Sequence, residues 1–322
     1  MNNRVTGFIA LILFMIRETL CWHEMGHMLV ARIAEKKLQK ENPSVLEKTY
    51  EQLKPIESFF AERGNSLLEP SLAPDLFMDQ FHLFLMDYHF VDNPLLYKND
   101  KPSDITFNDV KVFNATYAFK NGVDIIKESL NPETKDKHPH WYIKNGLIDS
   151  IMLRYIIHIA GDSHQPLHAC SFYSANLYNG SLKQGDQGGN LIPIKDVFNM
   201  GLTNLHSLWD SVLGKYEHKV DLPLCEKDIK NVDTLADELM QRYTENYFGR
   251  KVNNIKIDDW FNESFGICKD FVYSDIDIFP TIRPQYIATG RDIAEKRIAL
   301  AGYRLANVLK DIYSQKTEAS VL

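Results

Sequence analysis

Apolar positions along this chain recur mostly every three or four residues. Residues 25–38, 44–63, 110–129, 147–161, 205–213, 232–246 and 286–313 carry that helical period. The stretch 147–160 is apolar nearly all round, which predicts a helix buried at the centre of a bundle. The last helix sets Ile298, Gly302, Leu305, Leu309 and Ile312 on one face, where Gly302 permits close approach of a neighbour. Strand signals are scarce. The best is 190–197, behind a turn containing Gly185, Gly188 and Gly189. Stretches 91–107 and 172–187 read as surface loops. No repeat, low-complexity segment or linker divides the chain. The pattern therefore predicts an all-α fold, a single multi-helix domain with a small β-hairpin or loop insert.

The first 21 residues form a separate unit. Arg4 precedes an apolar run over 7–16, and Thr19 and Cys21 stand three and one residues before Trp22, the pattern of a signal peptide cut ahead of Trp22. Ten apolar residues are too few to cross a bilayer. Cleavage would leave Cys170, Cys225 and Cys268, of which one pair, Cys225–Cys268 among the options, can close in an oxidising compartment. Asn114, Asn179 and Asn262 head glycosylation sequons. The tail from about Ser314 is polar, is expected to be disordered, and has no retention or lipid signal. The expected product occupies residues 22–322, has no membrane anchor, and is secreted or held in an endolysosomal or vacuolar lumen.

Charge narrows the choice of function. Thirty-six Lys+Arg against 43 Asp+Glu give a net charge of −7, which argues against a basic binder of long duplexes. It leaves room for an enzyme that meets nucleic acid through bound cations. Candidate ligands are at hand. His158 and Asp162 are one helical turn apart, as are His206 and Asp210, and His168 lies between the pairs. A carboxylate in an apolar helix needs a partner. One such pair reads as an internal hydrogen bond, whereas two pairs with an intervening histidine point to metal. Imidazole with carboxylate suits zinc better than magnesium or calcium. A rival motif, His23-Glu24-Met25-Gly26-His27, fits the H-E-x-x-H of zinc metallopeptidases. It needs helical residues before it, whereas cleavage ahead of Trp22 would leave His23 as the second residue, and Gly26 weakens the helix as well.

Longer motifs resemble one family. Trp22-His-Glu-Met-Gly-His27, Ala73-Pro-Asp75, Tyr88-His-Phe-Val-Asp92, the run from Leu153 through His158, Asp162 and His168, Asp186-x-Gly-Gly-Asn190 and Asn204-Leu-His206-x-x-Trp-Asp210 follow in order. Tyr286-x-x-x-Gly290 and Ala301-Gly-Tyr-Arg-Leu-Ala306 close the series. Together they resemble the S1/P1 nucleases, secreted zinc-dependent enzymes of the zinc-dependent phospholipase C/P1 nuclease fold. The resemblance implies three Zn2+. Asp75, His89, His158 and Asp162 would hold one, and His168, His206 and Asp210 another. The terminal amine and carbonyl of Trp22, with His27 and bridging Asp162, would hold the third. His23, Glu24 and His164 would then not be ligands.

The implied catalytic residues are the metal-bridging Asp75 and Asp162, and the implied substrate-binding residues are Phe90, Asp92 and Asn190. Phe90 has two readings, base stacking or packing beside His89; Asp92 likewise serves a base edge or caps the following loop. The implied reaction cleaves single-stranded DNA and RNA to 5′-nucleotides, with 3′-nucleotidase activity, by a monomer. One position departs from the family, which commonly carries Arg where Met78 stands. Relatives of the same fold include phospholipase C enzymes, which leaves lipid head groups as the alternative substrate. A non-enzymatic metal-binding protein is the remaining alternative.

Overall fold

The computed structural model describes residues 22–60, 62–76, 83–131, 146–216 and 220–314. Residues 1–21, expected to be a signal peptide, Met78 and the tail beyond residue 314 lie outside them. Helices α1 (Glu24–Glu41), α2 (Pro43–Leu53), α3 (Ala115–Leu130), α4 (Leu147–Asp162), α5 (Leu205–Asp210), α6 (Glu226–Arg242), α7 (Ile257–Ile267) and α8 (Pro284–Tyr313) surround a shared apolar core. Proline opens α2 and α8, where its missing N–H leaves no intrahelical bond unmade. Asn114 caps α3 by accepting from Tyr117 N at 3.1 Å. Asn204 and Ser207 form a capping box on α5.

Helix α4 is buried from Leu153 to Asp162, the all-round burial its composition predicts. Helix α3 covers it on one side, while α1 and α8 pack along each other. At Gly302 the two helices leave no room for a side chain: a Cβ there would stand 2.6 Å from Ile33 Cβ and 2.9 Å from the Val30 carbonyl.

The structure departs from the sequence reading at four points. The insert is a parallel pair rather than a hairpin, with β1 (Asn93–Leu96) beside β2 (Cys170–Tyr173) and Asn93 opposite Cys170. Both strands lie at the edges of stretches read as loops, because four residues of N-P-L-L carry too little alternation to register. The stretch 190–197 makes one isolated bridge, Pro193 to Asn204, since Pro193 removes a ladder donor. Helix α7 was missed, although Ile257, Trp260, Phe261 and Ser264 bury at helical spacing. The disulfide joins Cys170 to Cys268, and Cys225 is a free, exposed thiol. It ties β2 to the turn that follows α7.

Candidate metal centre

Parallel pairing brings two distant histidines together. His89 lies four residues before β1 begins and His168 two before β2, so both fall at the same end of the strand pair. Val91 N donates to the His168 carbonyl at 2.7 Å, and His168 Nδ1 donates to the His89 carbonyl at 2.9 Å. Against this end lies the C-terminal turn of α4, where His158 Nε2 and Asp162 Oδ2 are 3.2 Å apart. The first turn of α1 adds His27, its Nε2 3.3 Å from Asp162 Oδ1. Asp75 Oδ1 reaches His158 Nε2 at 3.5 Å and His89 Nδ1 at 3.7 Å. On α5, His206 Nε2 and Asp210 Oδ2 stand 3.3 Å apart, and the His206 ring stacks on His168 with centroids at 5.1 Å.

Among the described residues these side chains form three groups with metal-binding spacing: His27–His158–Asp162, Asp75–His89–His158 and His168–His206–Asp210. Within each, the donor atoms lie no more than 4.8 Å apart. Trp22 is also at the centre. Its indole Nε1 donates to the Gly161 carbonyl at 3.0 Å, and the next residue, His23, donates its N–H to the Asp210 carbonyl at 3.1 Å. Residues 22 and 23 are thereby threaded between α4 and α5, which carry four of the eight residues in these groups.

The donor set fits zinc. Three imidazoles have their tautomer fixed by a backbone carbonyl. His158 Nδ1 donates to Ser71 O (2.7 Å), His168 Nδ1 to His89 O (2.9 Å) and His206 Nδ1 to Gly188 O (2.6 Å). Each therefore turns Nε2, with its lone pair, into the cluster. Several inward atoms are buried without a hydrogen bond: both nitrogens of His27, Nε2 of His89 and His168, Oδ1 of Asp162 and Oδ2 of Asp210. Buried polar groups are normally satisfied, so this concentration of orphans marks a place for cations. Imidazole-rich sites with one or two carboxylates are what zinc selects.

Electrostatics point the same way. Burial alone would raise the Asp162 carboxyl, but the His158 and His168 imidazoles hold it well below the usual range. Burial opposes protonation of His158, yet Asp162 and Asp75 bring it to about 9. Burial lowers His168 to about 3 and, with His158, lowers His27. Asp210 is pushed well up by burial, only partly offset by the Gln165 amide at 2.8 Å. A dication offsets such a mixture of strained charges and unpaired donors.

His164 is not part of this. Its Nδ1 donates to Ala160 O at 2.8 Å and its Nε2 accepts from Arg304 at 2.9 Å. His23 stands at the N-cap position of α1, just outside the helix, and neither His23 nor Glu24 belongs to the three groups.

Phe90, the residue after His89, lines a cavity of about 470 Å³ together with Asp92, Asp87, Asn108, Lys111 and Tyr173 among others, and none of the candidate ligands is among its lining residues. Phe90 thus faces a cavity rather than the core. Burial, then the nearby Asp87 carboxylate, raise Asp92 to about 6. Asn190 is not among the lining residues; its amide donates to Gln187 O at 2.9 Å within the glycine-rich turn. Two supporting residues escaped the sequence reading. Gln165 holds Asp210 while its own Oε1 accepts from Leu167 N at 2.6 Å. Asp186, accepting from Tyr273 Oη (2.6 Å) and Phe172 N (2.8 Å), anchors the turn that presents Gly188 to His206. Both sit inside motifs already singled out, as polar residues in otherwise buried runs.

The S1/P1 Nuclease family model matches residues 22–314. Endonuclease 4 of Arabidopsis thaliana is 25% identical over 334 residues, covering 98% of this chain and 98% of its own. Endonuclease 3 of the same plant is 24% identical over 96% of this chain and 94% of its own. Nuclease S1 of Aspergillus oryzae is 29% identical over 51% of this chain and 54% of its own. Among the described residues, no helix is long and apolar enough to cross a membrane.

Proposed function

The chain belongs to the S1/P1 nuclease family, and on that footing we propose that it is a secreted three-zinc phosphodiesterase. It cleaves single-stranded DNA and RNA to 5′-nucleotides and removes 3′-phosphates from nucleotides. The observation that carries this reading is the convergence of buried, unsatisfied imidazole and carboxylate atoms from α1, α4, α5 and both strand entrances. Asp75, His89, His158 and Asp162 would hold one zinc, and His168, His206 and Asp210 a second. His27, Asp162 and the terminal amine and carbonyl of Trp22 would hold the third. When bound, clustered zinc ions supply a nucleophile from water at neutral pH and offset the charge of the phosphate and its leaving oxygen.

The chain's own residues do the rest. Asp162 sits at the meeting point of the groups and Asp75 at their more exposed edge, so these two carboxylates align the centre. The backbone carbonyls of Ser71, His89 and Gly188 hold three imidazole protons at Nδ1, which keeps Nε2 available. Phe90 stacks on a base and Asp92 meets its polar edge. A stacking contact contributes roughly 1–3 kcal/mol and tolerates any base. The acidic lining of Asp87, Asp92 and Asp109 suits such local capture of a flexible strand better than long-range attraction of a duplex.

The test uses the secreted protein. N-terminal sequencing should begin at Trp22, metal counting should give three zinc ions per chain, and chelation should abolish cleavage of single-stranded DNA until zinc is restored. Asp210→Ala should lose that cleavage. Phosphodiester cleavage that survives chelation, or peptide cleavage that survives Asp210→Ala, would refute the reading.

A further inference from the structure

Much of the exposed apolar surface gathers at one lip of the Phe90 cavity. In the turn that leads into α3, Val112 is 75% exposed and Phe113 58%, and Tyr117 in the first turn of α3 is 37% exposed. Phe113 and Tyr117 meet edge to face, with centroids 4.8 Å apart. This lip is fixed in place. Asn114 caps the helix between the two rings, and Ala115 N donates to the Phe90 carbonyl at 3.3 Å. The lip is therefore bonded directly to the residue that follows His89.

A row of aromatic rings continues inward. Tyr117 lies 6.5 Å from Tyr88, Tyr88 5.9 Å from Tyr155, and Tyr155 6.4 Å from the ring of His89. The same turn carries Lys111, the one Lys or Arg lining the cavity among its described residues. Its side chain is 63% exposed and its ammonium rests on Asp87 at 2.6 Å.

An exposed apolar patch of this kind marks a binding surface. A bilayer favours apolar side chains flanked by several Lys and Arg. Here the flanking residues are Asp87, Asp92, Asp109, Asn108 and Asn114, on a chain of net charge −7. Flat rings beside hydrogen-bonding groups instead match a nucleobase, which has an apolar face and a polar edge.

We propose that Phe113 and Tyr117 form an outer stacking platform for a second nucleobase of a single strand, adjacent to the base in the cavity. Lys111 meets the phosphate of the strand as it crosses the lip. This rests on the nuclease reading and adds to it a preference for substrates longer than one nucleotide.

The experiment compares wild type, Phe113→Ala/Tyr117→Ala and Phe113→Trp, all zinc-loaded. One substrate is a thymidine hexanucleotide, and thymidine 5′-monophosphate serves as a competitive inhibitor that reports the cavity alone. In the double variant, KM for the hexanucleotide should rise about tenfold, as the loss of one stacked base implies. Its kcat, its Tm and the inhibitor's Ki should stay within twofold, and Phe113→Trp should keep the wild-type KM. An unchanged KM, or KM and Ki rising together, would overturn the platform while leaving the nuclease reading intact. A wild type that fails to cleave the hexanucleotide would remove both. Binding of wild type, but not the double variant, to phosphatidylcholine vesicles would assign the lip to lipid and refute the proposal.

Discussion

Asp162 is held within 3.5 Å of the imidazoles of His27, His89, His158 and His168, so its position is fixed from several sides. Asp210 has no such company: beyond its group with His168 and His206, Gln165 is the residue that steadies it. Gln165→Leu would keep the volume and remove the donor. Partners one layer out from the metal typically govern 10–100-fold in affinity, so zinc binding should weaken by roughly that factor. Competition against a chromophoric chelator measures it, and unchanged affinity would show that Asp210 needs no support. Asp186 makes a separate prediction about pH. Burial, partly offset by Tyr273 and backbone N–H groups, raises its carboxyl to about 7, against about 4 in an unfolded chain. The folded protein then binds the extra proton between those values. Its stability falls as pH rises through that window and levels off above it. Asp186→Asn lacks this titration. The Tm of the variant relative to wild type should improve from pH 5 to pH 8, and a constant difference would disprove the assignment.

At the scale of elements, glycines set how closely the ligand-bearing helices approach. A Cβ at Gly161 would stand 2.8 Å from His27 Nδ1, and one at Gly26 2.8 Å from Trp22 Cβ. Gly26, which lowers helix propensity, lets Trp22 fold back over the first turn of α1. Gly161→Ala should displace His27 and lower the zinc count, whereas Gly302→Ala should cost about 1–3 kcal/mol by crowding α1 against α8 and leave the zinc count unchanged. Metal analysis and urea denaturation on both variants check the contrast. Equal zinc loss in the two would mean that the helix packing as a whole, not contact with His27, controls the site. Sequence made the helices with a buried stripe legible, because side chains facing the core recur at the helical period. It failed where burial was sparse. Helix α6 starts at Glu226 rather than 232, since its acidic first turn faces solvent and only Val232, Ala236 and Leu239 are buried. The parallel strands were invisible because pairing between residues 93–96 and 170–173 is a tertiary fact that four-residue segments do not encode. The residues of the three candidate metal groups were legible through long motifs. The carbonyls of Ser71 and Gly188 that orient His158 and His206 were not, because any residue supplies a carbonyl.

Over the whole molecule, the candidate ligands extend from residue 22 to residue 210, leaving α6, α7 and α8 outside the centre. Besides helix packing and hydrogen bonds such as Arg304 to His164, a covalent link joins the two parts, the Cys170–Cys268 disulfide, with both cysteines fully buried. Cys170 follows His168 by two residues, so the bond anchors the strand that delivers a ligand to the helices that deliver none. Its partners are 98 residues apart in sequence. Closing a loop of that length removes about 4–5 kcal/mol of chain entropy from the unfolded state, with typical measured values of 2–4 kcal/mol. Replacing both cysteines with Ala should therefore lower the unfolding free energy by about 2–4 kcal/mol in urea. Because this loss acts on the unfolded chain, zinc affinity in the variant should stay near that of wild type under native conditions. If the variant instead lost zinc before it lost helix, the disulfide would be acting on the geometry of His168, and the bond would belong to the site rather than to the fold.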